Sequence, residues 1–150
     1  MTETGKTTYK ICREQAGYTQ ERAAELLPCS VRALARYESG EVRVPDDMAY
    51  RMVRLYNSQF LAAEHLRQVS VLAADLIPPV EDVTLQTAAI RIVNRVAEFV
   101  SKNRTAQLLQ IAEDGVISDA EQPLFQEIVA DLEELVKVFT EVRLTGEKSE

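Results

Sequence analysis

A chain of 150 residues that is 46% apolar, with five glycines, five prolines and no tryptophan, can bury a sizeable core and is not built like a disordered chain. Charge cuts every apolar run before it reaches the length of a membrane span, and no apolar signal region opens the chain, so a soluble cytoplasmic protein is expected. The net charge of −7 divides unevenly: residues 1–57 hold nine basic against eight acidic side chains, and residues 58–150 hold eight against sixteen, giving +1 and −8. The acidic C-terminal part would be repelled by phosphate, which excludes it as a surface for a polyanion.

Met1–Lys6 is a polar lead-in, and Thr7 or Thr8 can cap a first helix that runs to about Ala16 with Tyr9, Cys12 and Ala16 as its inner edge. Thr19 can cap a second helix whose inward face is Ala23, Ala24 and Leu27. Pro28 disfavours helical geometry at Leu27 and ends that helix. Ser30 can cap a third helix, Val31–Ser39, with Leu34 and Tyr37 inward and Arg32 and Arg36, four apart, on another face. Gly40 follows where a helix commonly ends in a left-handed residue. Two short helices joined by a tight turn, the second carrying arginines outward, have the layout of a DNA-reading helix-turn-helix. Glu41–Pro45 reads as an extended connector. A fourth helix, Asp46–Tyr56, begins with acids at its N-terminus and turns Met48, Met52 and Leu55 inward. Asn57-Ser58 is the expected domain boundary, giving a reader at 1–57 and a helical oligomerisation or signal-receiving domain at 58–150.

Three longer helices are expected beyond it, and no alternating strand pattern appears, so the fold class is all-α. The first runs from Gln59 to about Leu76, stopped by Pro78-Pro79. The second runs from the Thr84 cap to about Glu113, with Leu85, Ala89, Ile92, Val96 and Phe99 in a coiled-coil-like seam and Asn103-Arg104-Thr105 as a place to break. Unbroken, its roughly thirty residues would span ~45 Å, longer than a small domain. The third opens at Ser118-Asp119-Ala120-Glu121, a capping box, and carries Leu124, Ile128, Leu132, Leu135, Phe139 and Val142 as one stripe. These stripes read as core that can also continue across a subunit boundary.

The stretch from Tyr9 to Asn57, about a third of the chain, resembles the lambda-repressor-like, or XRE, helix-turn-helix family. The resemblance rests on Arg13, Gly17, Thr19-Gln20, Ala24 and Glu38-x-Gly40. It implies a buried ion pair between Arg13 and Glu38, a phosphate contact from Gln20, and entry of the first residues of helix three into the major groove. Two positions depart from the pattern. Pro28 stands where the family usually has a left-handed glycine, so this turn must be built differently. Ala23 replaces a larger leucine and leaves space for Tyr18 or Tyr37 to fill.

Other chemistry finds little support. Gln110–Glu121 has the outline of a calcium loop but places Gln110 and Ala112 where carboxylates are needed, so a helix end at Gly115 is the better reading. His65 stands alone and is expected on a helix face. Cys12 and Cys29 read as structural thiols, and no catalytic arrangement, cofactor or metal site is expected. The sequence thus points to an all-α, dimeric, repressor-type regulator from a bacterium or phage, with double-stranded DNA as partner. Its candidate DNA-binding residues are Gln20, Ser30, Val31, Arg32 and Arg36, with Arg13 and Glu38 as structural pair. Two alternatives stay open: a protein-interaction module with a degenerate helix-turn-helix, and an antitoxin whose acidic helices hold a protein partner while it represses its own operon.

Overall fold

The structure is a computed structural model that describes residues 7–146, and every regular element among them is a helix. The chain divides into two compact units, one reaching Ile77 and the other beginning at Pro78.

The first unit contains α1 (Thr8–Gln15), α2 (Gln20–Leu26), α3 (Val31–Glu38), α4 (Asp46–Tyr56), α5 (Gln59–Val69) and α6 (Val71–Leu76). Each boundary has a local cause. The hydroxyls of Thr19, Ser30, Ser58 and Ser70 accept the backbone N–H three residues on, so four of these helices start on a side-chain cap. Gly17 and Gly40 take left-handed backbone just past α1 and α3, and Asn57 does so after α4. Asp46 and Asp47 occupy the first turn of α4, where carboxylates complement the helix dipole. The core gathers Tyr9 and Cys12 from α1, Ala23 and Ala24 from α2, Leu34 from α3, and Met48, Met52 and Tyr56 from α4. Tyr18 and Tyr37 pack against it.

Leu61 of α5 is fully buried in this same core, and that moves the expected boundary. Asn57-Ser58 is a change of helix direction inside the unit, and the unit ends at Ile77–Pro78. His65, expected on a helix face, is buried as well. The Tyr9 hydroxyl donates to His65 Nδ1 at 2.7 Å, and His65 Nε2 lies 2.9 Å from Asp46 Oδ1. A carboxylate only accepts, so Nε2 carries the proton and Nδ1 receives the phenol. One side chain of α5 thereby ties α1 to the start of α4. The expected single helix over residues 59–76 is two, because Ser70 leaves helical geometry to cap α6 and Arg67 Nη1 donates to the carbonyls of Ala74 and Ile77.

The second unit contains α7 (Leu85–Ser101), α8 (Arg104–Ile111) and α9 (Gln122–Gly146). Thr84 caps α7. The helix expected to reach Glu113 breaks at Asn103, whose left-handed backbone starts α8. Ser118 and Glu121 form only half of a capping box: the Ser118 N–H and hydroxyl both bind the Glu121 carboxylate, and regular α9 begins one residue later. α7 and α9 run antiparallel, as shown by the ladder Arg91–Glu141, Arg95–Glu134 and Lys102–Asp131. Arg104 fixes α8 to α9 through Asp131 and Glu127. The buried apolar side chains here are few: Val80, Ala88, Ile111, Ile128 and Val138. Of the seam expected on α7, Ile92 and Phe99 are half-buried, whereas Leu85, Ala89 and Val96 are exposed.

Two outcomes follow for the first unit. A fragment ending at Ile77 should melt cooperatively in a calorimeter. One ending at Asn57 loses Leu61 and strands the Tyr9 hydroxyl, so it should be weaker by at least the ~2–5 kcal/mol of a large-to-small core change. Burial also pushes the Tyr9 phenol up to about 12, partly offset by the charge of Arg43 and reinforced by that of Asp46. A folded-state value above the ordinary 10 means the folded form holds its proton longer. Stability from this group is therefore complete below pH 10 and falls as the pH rises towards 12. Denaturant melts across that window should show the fall, and Tyr9→Phe should flatten it.

Candidate nucleic-acid interface

The turn between α2 and α3 sets how α3 is presented. Leu27 ends α2 in extended geometry (φ −96°, ψ 144°), as a residue before proline prefers. The Cys29 N–H then donates to the Leu27 carbonyl at 2.7 Å, closing a three-residue turn about Pro28. No residue of this turn has positive φ. Proline thus replaces the left-handed residue by a tighter closure, and Ser30 restarts the helix by accepting the Ala33 N–H at 3.1 Å. Burial raises the Cys29 thiol above its ordinary value, which keeps it protonated beside α3.

Behind α3 lies the anchor. Arg13 Nε donates to Glu38 Oε1 at 2.6 Å and Nη2 to Oε2 at 3.0 Å, with the side chains only 7% and 2% exposed. The remaining nitrogen, Nη1, donates to the Tyr18 carbonyl at 2.6 Å. The hydrogen bond to Glu38 raises the Arg13 guanidinium above its usual range, so Arg13 stays charged. Thr7 adds a tie that sequence reasoning placed elsewhere: its hydroxyl makes no cap and donates instead to the Glu38 carbonyl at 2.7 Å. A threonine before a helix reads as a cap in sequence, and only the packing of α1 on α3 offers it this other acceptor.

The expected contact residues divide into two groups. Ser30, Val31, Arg32 and Arg36 are all exposed on the opening and outer face of α3. Gln20 is half-buried, and its Nε2 donates to Glu38 Oε2 at 2.8 Å. Its amide is therefore built into the anchor, although the second N–H on Nε2 remains for an outer acceptor. Arg36 is engaged at the surface, with Nε 3.0 Å from Glu41 Oε1. Arg22 pairs with Glu25 on α2. Arg32 has no ion pair among the described residues. Glu41 and the inward bond of Gln20 were not legible in sequence, because both depend on which rotamer faces which neighbour.

Residues 10–66 match the model of a family described as a helix-turn-helix domain. No curated protein and no solved structure matches the chain. The first unit therefore carries a helix-turn-helix domain, and the match runs into α5, past the boundary expected at Asn57. Among the described residues, no helix is long and apolar enough to cross a membrane and no three His, Cys, Asp or Glu side chains gather to hold a metal ion.

Removing one member of the buried pair leaves the other charge without its partner. Glu38→Ala should therefore destabilise the first unit by ~3–5 kcal/mol, read as a fall in its thermal midpoint in the absence of DNA. An unchanged midpoint would show that the pair is not holding the domain together.

Proposed function

We propose that the protein is a sequence-specific transcriptional regulator of repressor type, bacterial or phage in origin and cytoplasmic, that binds an operator as a dimer. The observation that carries this reading is the start of α3: capped, exposed, and bearing in Arg32 a guanidinium with no ion pair among the described residues, on a helix locked from behind by Arg13 and Glu38. A guanidinium held on a rigid helix can meet guanine O6 and N7 bidentately, and Val31 beside it suits a thymine methyl. Ser30 and Arg36 flank these positions, with Arg36 exchanging Glu41 for a phosphate or a base. Gln20 and the N-terminus of α2 supply N–H donors for a phosphate. The residues before Asn57 have a net charge of only +1, so one copy gains little from counterion release and two copies are needed for tight binding. Twofold pairing would set the recognition helices about 34 Å apart on a palindromic site. The acidic second unit serves pairing or signal reception away from the DNA.

A second reading has specific support. The inward bond of Gln20 and the Arg36–Glu41 pair both occupy groups that DNA would need, as a helix-turn-helix turned to protein binding would. Selection of bound duplexes from a random pool with the full chain separates the two. A palindromic consensus with half-sites one helical turn apart supports the regulator, and no enrichment supports the interaction module. On the selected site, Arg32→Ala should relax the preference at one position per half-site by ~1–3 kcal/mol and spare non-specific binding. Gln20→Ala should weaken all sequences about equally and leave the salt slope nearly unchanged, since that slope counts cations. Competition binding on single-base variants at two salt concentrations checks both.

A further inference from the structure

Two arginines share the outer face of α3, and their surroundings differ. Arg32 has no ion pair among the described residues, whereas Arg36 Nε donates to Glu41 Oε1 at 3.0 Å. Glu41 reaches it because the chain folds back past the end of the helix. Gly40 is left-handed (φ 76°), its N–H donates to the Tyr37 carbonyl at 3.2 Å, and the Val42 N–H donates to the Arg36 carbonyl at 3.3 Å. Ser39 Oγ donates to the same Arg36 carbonyl at 3.1 Å and accepts the Glu41 N–H at 3.4 Å. The backbone on both sides of Glu41 is therefore tied to the residue whose side chain Glu41 holds. An exposed pair between two free side chains is worth little, because both must be ordered to make it. Here the backbone supplies part of that ordering in advance.

We propose that Glu41 is a positioning residue that determines specificity: it stays on Arg36 in the bound complex and aims the guanidinium at a guanine. This rests on the DNA-binding reading above. The pair engages Nε, at the side of the guanidinium, and Nη1 and Nη2 at its end make no hydrogen bond among the described residues. Those two nitrogens form a fork that can meet guanine O6 and N7 together. The exchange of Glu41 described above is needed only for a phosphate, which competes for the same cation. With its charge offset by Glu41, Arg36 has little pull on a phosphate, and a carboxylate beside the DNA backbone is itself repelled. A guanine edge is uncharged and requires only aligned N–H donors, which the held fork supplies. Glu41 thereby favours a neutral base edge over an anionic oxygen. Arg36 lies one turn beyond Arg32, ~6 Å along α3, so the two arginines meet different base pairs.

Competition binding of the full chain on the duplex selected from the random pool tests this, at two salt concentrations and with circular dichroism to confirm folding. Arg36→Ala should erase a guanine preference at one position per half-site, distinct from the position relaxed by Arg32→Ala. Glu41→Ala should cut that same preference about two- to fivefold, the range of an exposed ion pair. Its binding to non-specific duplex should tighten, with a salt slope steeper by about 0.9 as Arg36 becomes free for a phosphate. In the Arg36→Ala background, Glu41→Ala should change the base preference no further, because it acts through that arginine. Glu41→Gln keeps an acceptor for Nε and loses the charge, so it should steepen the slope and retain most of the preference. That variant carries the test should the alanine variant unfold, and an unchanged slope for it overturns the proposal. A guanine preference untouched by Glu41→Ala, or one that falls equally without Arg36, overturns Glu41 as positioning residue and leaves the regulator standing. Cognate affinity that rises on loss of Glu41 as much as non-specific affinity shows the pair broken in the complex and overturns it too. A wild type that enriches no duplex overturns both.

Discussion

The first unit depends on a charge pair withdrawn from water. Arg13 and Glu38 are bidentate, short and almost wholly buried, and three further bonds brace them: Arg13 Nη1 to the Tyr18 carbonyl, Gln20 to Glu38 Oε2, and Thr7 to the Glu38 carbonyl. A buried ion pair adds little net stability over an apolar substitute, but it strongly penalises any arrangement that separates the partners. That penalty makes it a device for orientation. It binds the end of α3 to α1 and to the start of α2, so the outer face of α3 is presented at one angle. In the function proposed above, that fixed angle matters more than stability, because a bidentate base contact tolerates little angular error.

Around this anchor the packing is economical. Ala23 and Ala24 are the buried residues of α2, and Tyr18 and Tyr37 pack against the same core. Pro28 removes the left-handed step from the turn, and the extended Leu27 delivers the chain to Ser30 through a three-residue closure. The polar contact of α5 with the unit is equally economical, since the Tyr9–His65–Asp46 chain satisfies three polar side chains at one crossing. Tyr56 is the exception: its hydroxyl is buried with no hydrogen-bond partner among the described residues, and burial raises its phenol even further than that of Tyr9. Both phenols therefore stay neutral in the folded unit.

The second unit is organised on the opposite principle. Its two long helices meet through a ladder of Arg, Lys, Glu and Asp, with Glu141 fully buried between Arg91 and the Glu81 N–H. Most of the ladder stays at the surface, with Arg91, Arg95, Glu98 and Lys102 each 36% to 45% exposed, and Glu141 is the member withdrawn from water.

Amino-acid order alone determined the helices of the reader, because caps and breakers act within a few residues: Thr19, Ser30, Pro28 and Gly40 set ends wherever the chain goes. It also carried the all-helical class and, through the family resemblance, the pairing partners Arg13 and Glu38. Long-range choices were not determined locally. The break at Asn57 looked like a boundary because a left-handed residue followed by a capping serine reads the same between domains as within one. Only the burial of Leu61 and His65 assigned α5 to the first unit. The seam on α7 likewise had two neighbouring registers in sequence, since Ile92 and Val93, and Phe99 and Val100, are adjacent apolar residues on a helix. Only the tertiary packing shows that Ile92 and Phe99 turn inward and Val93 and Val100 stay in water, because both registers offer similar apolar side chains and the choice between them lies with the neighbouring elements.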